Sequence, residues 1–103
     1  MEITNKKNQI KRIQDMEQLF DYVLEAIKEL PISSEKYNNI QQAIATLSKY
    51  YSSNEWKQDY IDDEKGLLPK NLKRGILSED GIWNLLSHWA ELKKNSTIYT
   101  PNS

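Results

Sequence analysis

The strongest constraint on the fold is an apolar stripe near the start of the chain. Its side chains recur every three or four residues, which is the repeat of one face of an α-helix: Ile13, Met16, Phe20, Val23, Ile27 and Leu30. Leu19 and Leu24 widen this stripe to the breadth that a helix buries in a bundle. Pro31 ends the pattern, because the residue before a proline is pushed out of the helical conformation. The sequence therefore predicts a helix over residues 13–30.

A second stripe with the same spacing follows after a short connection. Either Ser33 or Ser34 can cap the helix that carries it. Its apolar members are Tyr37, Ile40, Ile44, Leu47 and Tyr51, with Ala43 beside them. Two helices joined by a short turn run antiparallel, so the first half of the chain is predicted to be a helical hairpin.

Two shorter helices are predicted in the second half. Ser52, with Glu55 three residues later, forms a capping box that places the start of a third helix there. This helix ends at Gly66, since glycine adopts the left-handed conformation of a helix C-terminus at the lowest cost. Ser78 caps the last helix, whose core face carries Ile82, Leu85, Leu86 and Trp89.

The connection between these two helices is predicted to be ordered. Pro69 at a first helical position and Gly75 just past the end indicate a single short turn of helix, with Leu72 facing inward. The apolar residues of this stretch are too many for a solvated loop: Leu67, Leu68, Leu72, Ile76 and Leu77. We therefore expect some of them to fold over the open side of the hairpin.

Together these elements predict an all-α protein. The expected architecture is a small antiparallel helical bundle, made of a helical hairpin, a short third helix, an ordered loop and a C-terminal helix. Residues 10–94 are expected to form the single domain, residues 1–9 a flexible N-terminus and residues 95–103 a disordered tail. The expected centre of the core is Phe20, Val23, Ile27, Ile40, Ile44, Leu47, Leu85, Leu86 and Trp89.

Two runs of the sequence carry a family resemblance. They are RIQDMEQLFDYVLEAIKEL in the first helix and WKQDYIDDEKGLLPKNLKRGILSEDGIWNLL in the second half. Over about residues 10–93 the chain resembles family 4298 of the domains of unknown function, which are small bacterial proteins of the Firmicutes type. The resemblance implies an all-helical fold. The family carries no established activity, substrate or cofactor that could be transferred to this chain.

Composition and charge narrow the function classes. The net charge is −1 and the pI about 5.8, without a basic face, which disfavours nucleic-acid binding because that affinity depends on neutralising phosphates. No stretch approaches the apolar length of a transmembrane helix, and the N-terminus lacks the apolar run of a secretory signal. We expect a cytoplasmic protein that binds neither nucleic acid nor membranes.

An acidic cluster precedes Gly66 and consists of Asp59, Asp62, Asp63 and Glu64. Its spacing lacks the alternate ligands of a calcium loop, and Leu72 stands where such a loop needs a bidentate acid. We expect these acids to bind no metal and to pair with the basic residues of the following loop, which are Lys70, Lys73 and Arg74. His88 has no cysteine or second histidine to act with, so we expect no zinc site, general base or cofactor.

The predicted function is non-enzymatic binding of another protein through the loop and the final helix. Trp83 lies about 100° around that helix from the core face, so it fills either a core edge or an exposed patch. A charged rim around an aromatic centre has the composition of a binding hot spot. The candidate partner-binding residues are Trp56, Lys70, Lys73, Arg74, Glu79, Asp80 and Trp83.

Two alternatives stay open. The first is a small-molecule or enzymatic site between helices that uses the loop of Lys70, Lys73 and Arg74, although the inward stripes carry no arginine or lysine. The second is a toxin-immunity-type protein, which is a special case of protein binding and rests on fold analogy alone.

Overall fold

A computed structural model describes residues 2–29, 31–94 and 99–100, with side chains from residue 6 to residue 94 apart from Leu30. The elements in chain order are α1 (Glu2–Ala26), β1 (Ile32–Ser33), α2 (Ser34–Tyr51), α3 (Asn54–Glu64), a 3₁₀ helix (Gly75–Leu77), α4 (Glu79–Lys93) and β2 (Tyr99–Thr100). The four α-helices confirm the predicted all-α bundle, in which α1 and α2 form the hairpin. None of the described helices has the length and apolar composition needed to span a membrane.

Helix α1 starts well before the predicted stripe. It begins at Glu2, and two side chains of the segment predicted to be flexible contact the second half of the chain. Lys6 Nζ donates to the Leu67 carbonyl at 2.9 Å, and the buried Gln9 donates to Asp59 at 3.0 Å. The stripe gave no sign of this extension because residues 4–9 are all polar.

The end of α1 also differs from the prediction. The helix stops at Ala26, and residues 27–29 form a turn ahead of Pro31. Leu30, the last predicted member of the stripe, lies outside the described residues. Leu24 was expected to widen the buried face but is 37% exposed, so the buried stripe is narrower on that side.

The connection between α1 and α2 contains two strand residues that the sequence pattern did not indicate. Ile32 pairs with Tyr99, and Ser33 with Thr100, in a parallel ladder. Of the tail predicted to be disordered, residues 95–98 and 101–103 lie outside the described residues. The domain limits at residues 10 and 94 stay a prediction.

Two serines cap α2 and α3. Ser33 begins α2, where its Oγ accepts the backbone N–H of Lys36 at 3.1 Å. The cap of α3 is Ser53, whose Oγ accepts the N–H of Trp56 at 3.1 Å. The predicted capping box from Ser52 is therefore wrong by one residue, because Ser52 closes α2 with a backbone bond to Ser48 at 3.1 Å.

The end of α3 has the geometry that a glycine allows. Gly66 has a φ of 73°, in the left-handed region, as predicted. Its N–H bonds to the Asp63 carbonyl at 3.0 Å, and the N–H of Leu67 reaches back to Asp62 at 2.9 Å. This pair of bonds is a Schellman motif, which satisfies carbonyls that the helix end leaves free.

The segment after Gly66 is ordered, but it forms its helical turn later than predicted. Pro69 and Leu72 close only a turn, and the 3₁₀ helix begins at Gly75. The predicted covering of apolar residues is confirmed for Leu68, Leu72, Ile76 and Leu77, which are all buried. The segment is thus part of the core, with Leu67 left 54% exposed.

The side chain that positions the 3₁₀ helix comes from α1. Glu17 is buried, and its Oε1 accepts the N–H of Ile76 at 2.8 Å. Gly75 permits this close approach, since a Cβ there would lie 3.2 Å from Glu17 and 3.3 Å from Phe20.

Helix α4 closes the bundle as predicted. Ser78 Oγ accepts the N–H of Gly81 at 3.2 Å, and acids occupy the first turn. The core contains six of the nine residues expected at its centre, namely Phe20, Val23, Ile40, Leu47, Leu85 and Trp89. The other three, Ile27, Ile44 and Leu86, are half-buried and pack against it.

A buried polar cluster joins three helices at one place. The carboxylate of Asp59 in α3 is 0% exposed. It accepts hydrogen bonds from Gln9 at 3.0 Å and from Arg12 at 2.5 and 3.0 Å, both in α1, and from the Tyr50 hydroxyl of α2 at 2.5 Å. The acid thus fixes the position of α3 on the hairpin.

Candidate partner-binding surface

Trp83 is the large apolar side chain that the fold leaves most exposed among the described residues. Its exposed fraction is 59%, whereas the preceding residue, Ile82, is completely buried. One residue turns an α-helix by about 100°, so the two side chains point to different faces of α4. Since Ile82, Leu85 and Trp89 hold α4 against the core, Trp83 belongs to the surface.

Two acids accompany Trp83 on α4. Glu79 and Asp80 are exposed in the first turn, after the Ser78 cap. Residues three and four positions apart are neighbours on a helix surface, and a helical side chain leans toward the N-terminus. Trp83 is four residues after Glu79 and three after Asp80, so the three residues share one face of α4.

A cleft of about 370 Å³ opens beside these acids. We call it the acidic cleft. It is lined by eight residues: Tyr60, Asp63 and Glu64 from α3, Arg74, Leu77 and Ser78 from the connecting segment, and Glu79 and Asp80 from α4. Four of the eight are acids and one is a base, so the lining has an excess of negative charge.

The negative charge of the acidic cleft affects the pKa of the Tyr60 hydroxyl. Its pKa is raised above the ordinary value, first by the charge of Glu64, then by partial desolvation, and further by the charges of Glu79 and Asp80. Nearby negative charge disfavours the phenolate, which explains the direction. Residues of both α3 and α4 therefore contribute to one negative region.

Arg74 does not neutralise all of the negative charge in the acidic cleft. It is half-buried, and its guanidinium pairs with the Asp63 carboxylate. It also donates to the backbone carbonyls of Pro69 and Leu72, the latter at 3.2 Å. Arg74 thus ties the loop to α3, while Glu64, Glu79 and Asp80 form no ion pair within the part of the chain that the structure describes.

The structure brings together only some of the candidate residues. Arg74, Glu79 and Asp80 line the acidic cleft. Trp83 is outside that lining but lies on the same helix as the two acids. Trp56 is buried, and its indole N–H donates to the Ile76 carbonyl at 3.0 Å.

Trp56 supports the cleft from below. Its ring stacks on Tyr60 with a centroid separation of 5.2 Å and an interplanar angle of 25°. The two remaining candidates lie elsewhere: Lys73 lines a different cleft, of about 460 Å³, beside Glu17 of α1, and Lys70 is exposed.

The predicted ion-pair network is present at one pair only. Arg74 pairs with Asp63, but Lys70 and Lys73 form no ion pair with any described residue. Asp59 instead forms an ion pair with Arg12. The carboxylate of Asp62 accepts from Gln9 and Gln58, both at 2.8 Å, and these hydrogen bonds lower its pKa, that from Gln9 most. For Asp59 and Asp62, Gln9 and Arg12 of α1 fill the role that was expected of the lysines. Among the described residues no group of three or more His, Cys, Asp or Glu side chains is placed to hold a metal ion.

Sequence reasoning missed the α3 wall of the cleft. Tyr60 and Glu64 are four residues apart and therefore share one face of α3, a signal that the pattern did contain. Their closeness to α4 depends on the folded loop, which no local pattern shows. His88 is exposed on α4.

No curated protein and no solved structure matches the chain. A family match does exist, to the domain of unknown function DUF4298, and it covers residues 13–97. That range contains most of the hairpin, the acidic cleft and Trp83. Because the match spans most of the chain, this protein belongs to the DUF4298 family.

Proposed function

We propose that this protein is a non-enzymatic interaction module that binds another protein through α4 and the acidic cleft. We define the Trp83 surface as Trp83, Glu79, Asp80 and the acidic cleft. The observation that carries the proposal is the 59% exposure of Trp83 on a helix that is otherwise well anchored. The proposal keeps the cytoplasmic location expected from the sequence.

The physical support comes from the cost of leaving an indole in water. Burying apolar surface contributes about 25 cal/mol per Å², and tryptophan presents more of it than most side chains. Tryptophan is also enriched among the few interface residues that carry most of the binding energy. A partner that covers Trp83 therefore gains affinity from a single side chain, with charged residues beside it to set the orientation.

The support under this surface is rigid, which lowers the entropy lost on binding. Ser78 caps α4, Trp56 fills the space below Tyr60, and Asp59 fixes α3. Every buried polar side-chain atom of the described residues has a hydrogen-bond partner. Residues that are already satisfied within the fold do not have to rearrange when a partner binds.

The alternative of a small-molecule or enzymatic site in the loop has less support. It needs Lys70, Lys73 and Arg74 to converge on one ligand. Arg74 is held by Asp63 and two carbonyls, and Lys73 lines a separate cleft. A toxin-immunity role remains a special case of the proposed protein binding.

The test is affinity capture from a lysate of the native host with the immobilised protein. Wild type is compared with Trp83→Ala and with Tyr22→Ala, a matched control whose exposed ring lines a groove between α1 and α2. We expect Trp83→Ala to lose the captured protein and Tyr22→Ala to keep it. Equal capture by all three proteins would contradict the proposal.

A further inference from the structure

We infer that the partner presents an arginine whose guanidinium stacks on the Trp83 indole and pairs with Glu79 and Asp80. The inference rests on the proposed function and specifies the chemistry of the partner at that site. It follows from the charges, the geometry of α4 and the way the protein uses its own Arg74.

Three carboxylates around the acidic cleft have no cationic partner within the part of the chain that the structure describes. Glu64, Glu79 and Asp80 make no ion pair with any described residue, although they lie around one cleft. The base in the lining, Arg74, pairs with Asp63 and donates to two backbone carbonyls. A cation brought by the partner therefore meets a negative surface that the protein leaves uncompensated.

The position of these acids also excludes an anionic partner group. A free helix N-terminus attracts phosphate or carboxylate groups through its unpaired N–H donors. In α4 the Ser78 side chain already accepts one of these N–H groups, and Glu79 and Asp80 stand in the same turn. An incoming phosphate would face two carboxylates, so the site selects for positive charge.

The indole of Trp83 favours arginine over lysine as the cationic side chain of the partner. A guanidinium is planar and can stack on an aromatic ring while its N–H groups point outward to carboxylates. Glu79 and Asp80 lie one turn before Trp83, where their carboxylates can accept hydrogen bonds from a guanidinium stacked on the indole. An ammonium group can approach the ring but has no flat face and hydrates more strongly, so lysine fits this pairing less well.

The test uses ¹⁵N-labelled protein and short capped peptides that differ at one position. The peptides are acetyl-Gly-Leu-X-Leu-Gly-amide with X as arginine, lysine or citrulline, the last of which keeps the shape of arginine without its charge. The readout is the indole N–H signal of Trp83, identified with Trp83→Phe. The indole N–H groups of Trp56 and Trp89 serve as internal references, because each donates within the fold, to Ile76 and to Gln41.

We expect the arginine peptide to shift the Trp83 signal and to leave the two references in place. Citrulline should bind about tenfold more weakly or worse, since hydrogen bonds to charged groups carry that difference. The double variant Glu79→Gln, Asp80→Asn should remove most of the preference for arginine. The control Glu91→Gln, an exposed acid nearer the other end of α4, should keep it.

Three results would overturn the inference. The first is no shift of the Trp83 signal at millimolar arginine peptide. The second is an equal affinity for arginine and citrulline. The third is a Trp83 shift produced by raising the concentration of the protein alone, which would make a second copy of this chain the occupant.

The capture assay separates failure here from failure of the proposed function. If capture depends on Trp83 but survives Glu79→Gln with Asp80→Asn, the interaction module stands and the arginine inference is wrong. If capture is independent of Trp83, the proposed function fails whatever the peptides show. Circular dichroism of each variant confirms that the helices are intact.

Discussion

Asp59 is the residue on which most of the polar interior depends. Each of its oxygens accepts two hydrogen bonds: Oδ1 from Gln9 and Arg12, and Oδ2 from Arg12 and Tyr50. A buried carboxylate costs several kcal/mol unless its charge and lone pairs are matched. Here the two-pronged Arg12 contact supplies the charge, and the neutral donors complete the set.

Replacing Asp59 by Asn should therefore destabilise the protein strongly. Removing one partner of a buried pair typically costs about 3 to 5 kcal/mol, because the other charge is left without compensation. Arg12 would retain only Glu55, at 3.6 Å on the surface. Urea unfolding monitored by circular dichroism measures the loss of unfolding free energy.

The matched control for that variant is Asp62→Asn, one turn further along α3. Asp62 is half-buried and accepts side-chain hydrogen bonds from the neutral Gln9 and Gln58, so its loss should cost about 1.5 kcal/mol or less. A similar cost for both variants would show that the Asp59 cluster is not special to the fold.

Tyr50 makes the stability of the same cluster depend on pH in the alkaline range. Burial is the first cause that raises the pKa of its hydroxyl, followed by the hydrogen bond to Asp59 and the charge of Asp59. The folded protein thus holds a proton that the unfolded chain releases near the ordinary tyrosine pKa of 10.0. The contribution of Tyr50 to stability is complete below that pH and is lost as the pH rises above it.

The expected outcome is a fall in melting temperature above about pH 10 that Tyr50→Phe makes shallower. The variant is less stable at neutral pH by about 1 to 3 kcal/mol, because Asp59 loses a donor, so the slopes are compared and not the absolute values. Tyr22→Phe, at an exposed position, should keep the wild-type slope. Identical slopes in all three proteins would remove Tyr50 as the cause.

At the scale of elements, the end of α3 depends on backbone conformation alone. Nothing lies within 4 Å of a Cβ added at Gly66, so a side chain there meets open space. The φ of 73° is nevertheless costly for other residues, by about 1 to 2 kcal/mol.

Gly66→Ala should lower the unfolding free energy by that amount, and Gly66→Asn by less, because asparagine tolerates the left-handed region better. Denaturant unfolding of the three proteins gives the order. If alanine and asparagine cost the same, the effect comes from something other than the conformation of this residue.

The sequence predicted the elements whose burial follows a local period. The stripes of α1, α2 and α4 identified their helices. Ser78 was predicted as the cap of α4, and Ser33 was one of two candidates for the cap of α2. Ser52 and Ser53 are adjacent and chemically equal, so the choice between them depended on where α2 ends. The early start of α1 was missed because polar contacts with Asp59 fix this part of the helix. Such contacts leave no regular spacing in the sequence.

For the candidate site, too, features set by local spacing were predictable, and features set by contacts distant in sequence were not. Trp83, Glu79 and Asp80 all lie on α4, and all three are exposed. Their role in binding stays a prediction. The fate of Trp56 was not predictable, since α3 is short and its buried face is chosen by the loop that folds over it. Its indole N–H finds a partner in Ile76, which is distant in sequence.

On the scale of the whole molecule, the protein is elongated, with extents of 51 × 23 × 22 Å. The loop from Gly66 to Ser78 packs between α1, α3 and α4 and converts a helical hairpin into a closed bundle. Arg74 and Glu17 hold this loop from opposite sides, by way of Asp63 and Ile76. The acidic cleft exists because this loop brings the start of α4 beside α3.

That arrangement changes what Arg74→Ala is expected to do. As a candidate partner-binding residue, Arg74 would be expected to affect binding and not stability when it is replaced. In the structure the side chain bonds Asp63 and two loop carbonyls, so its removal should loosen the loop as well. Trp83 is therefore the cleaner probe of the surface.

Comparing two tryptophans separates the surface from the core. Trp83→Ala should change the unfolding free energy by about 0.5 kcal/mol or less, as expected at an exposed position. Trp56→Ala should cost about 3 to 5 kcal/mol, because it opens a cavity under Tyr60 and leaves the Ile76 carbonyl without its donor. Guanidinium unfolding followed by circular dichroism measures both. A large loss of stability in Trp83→Ala would mean that this indole completes the core, and the proposed interaction surface would lose the observation that carries it.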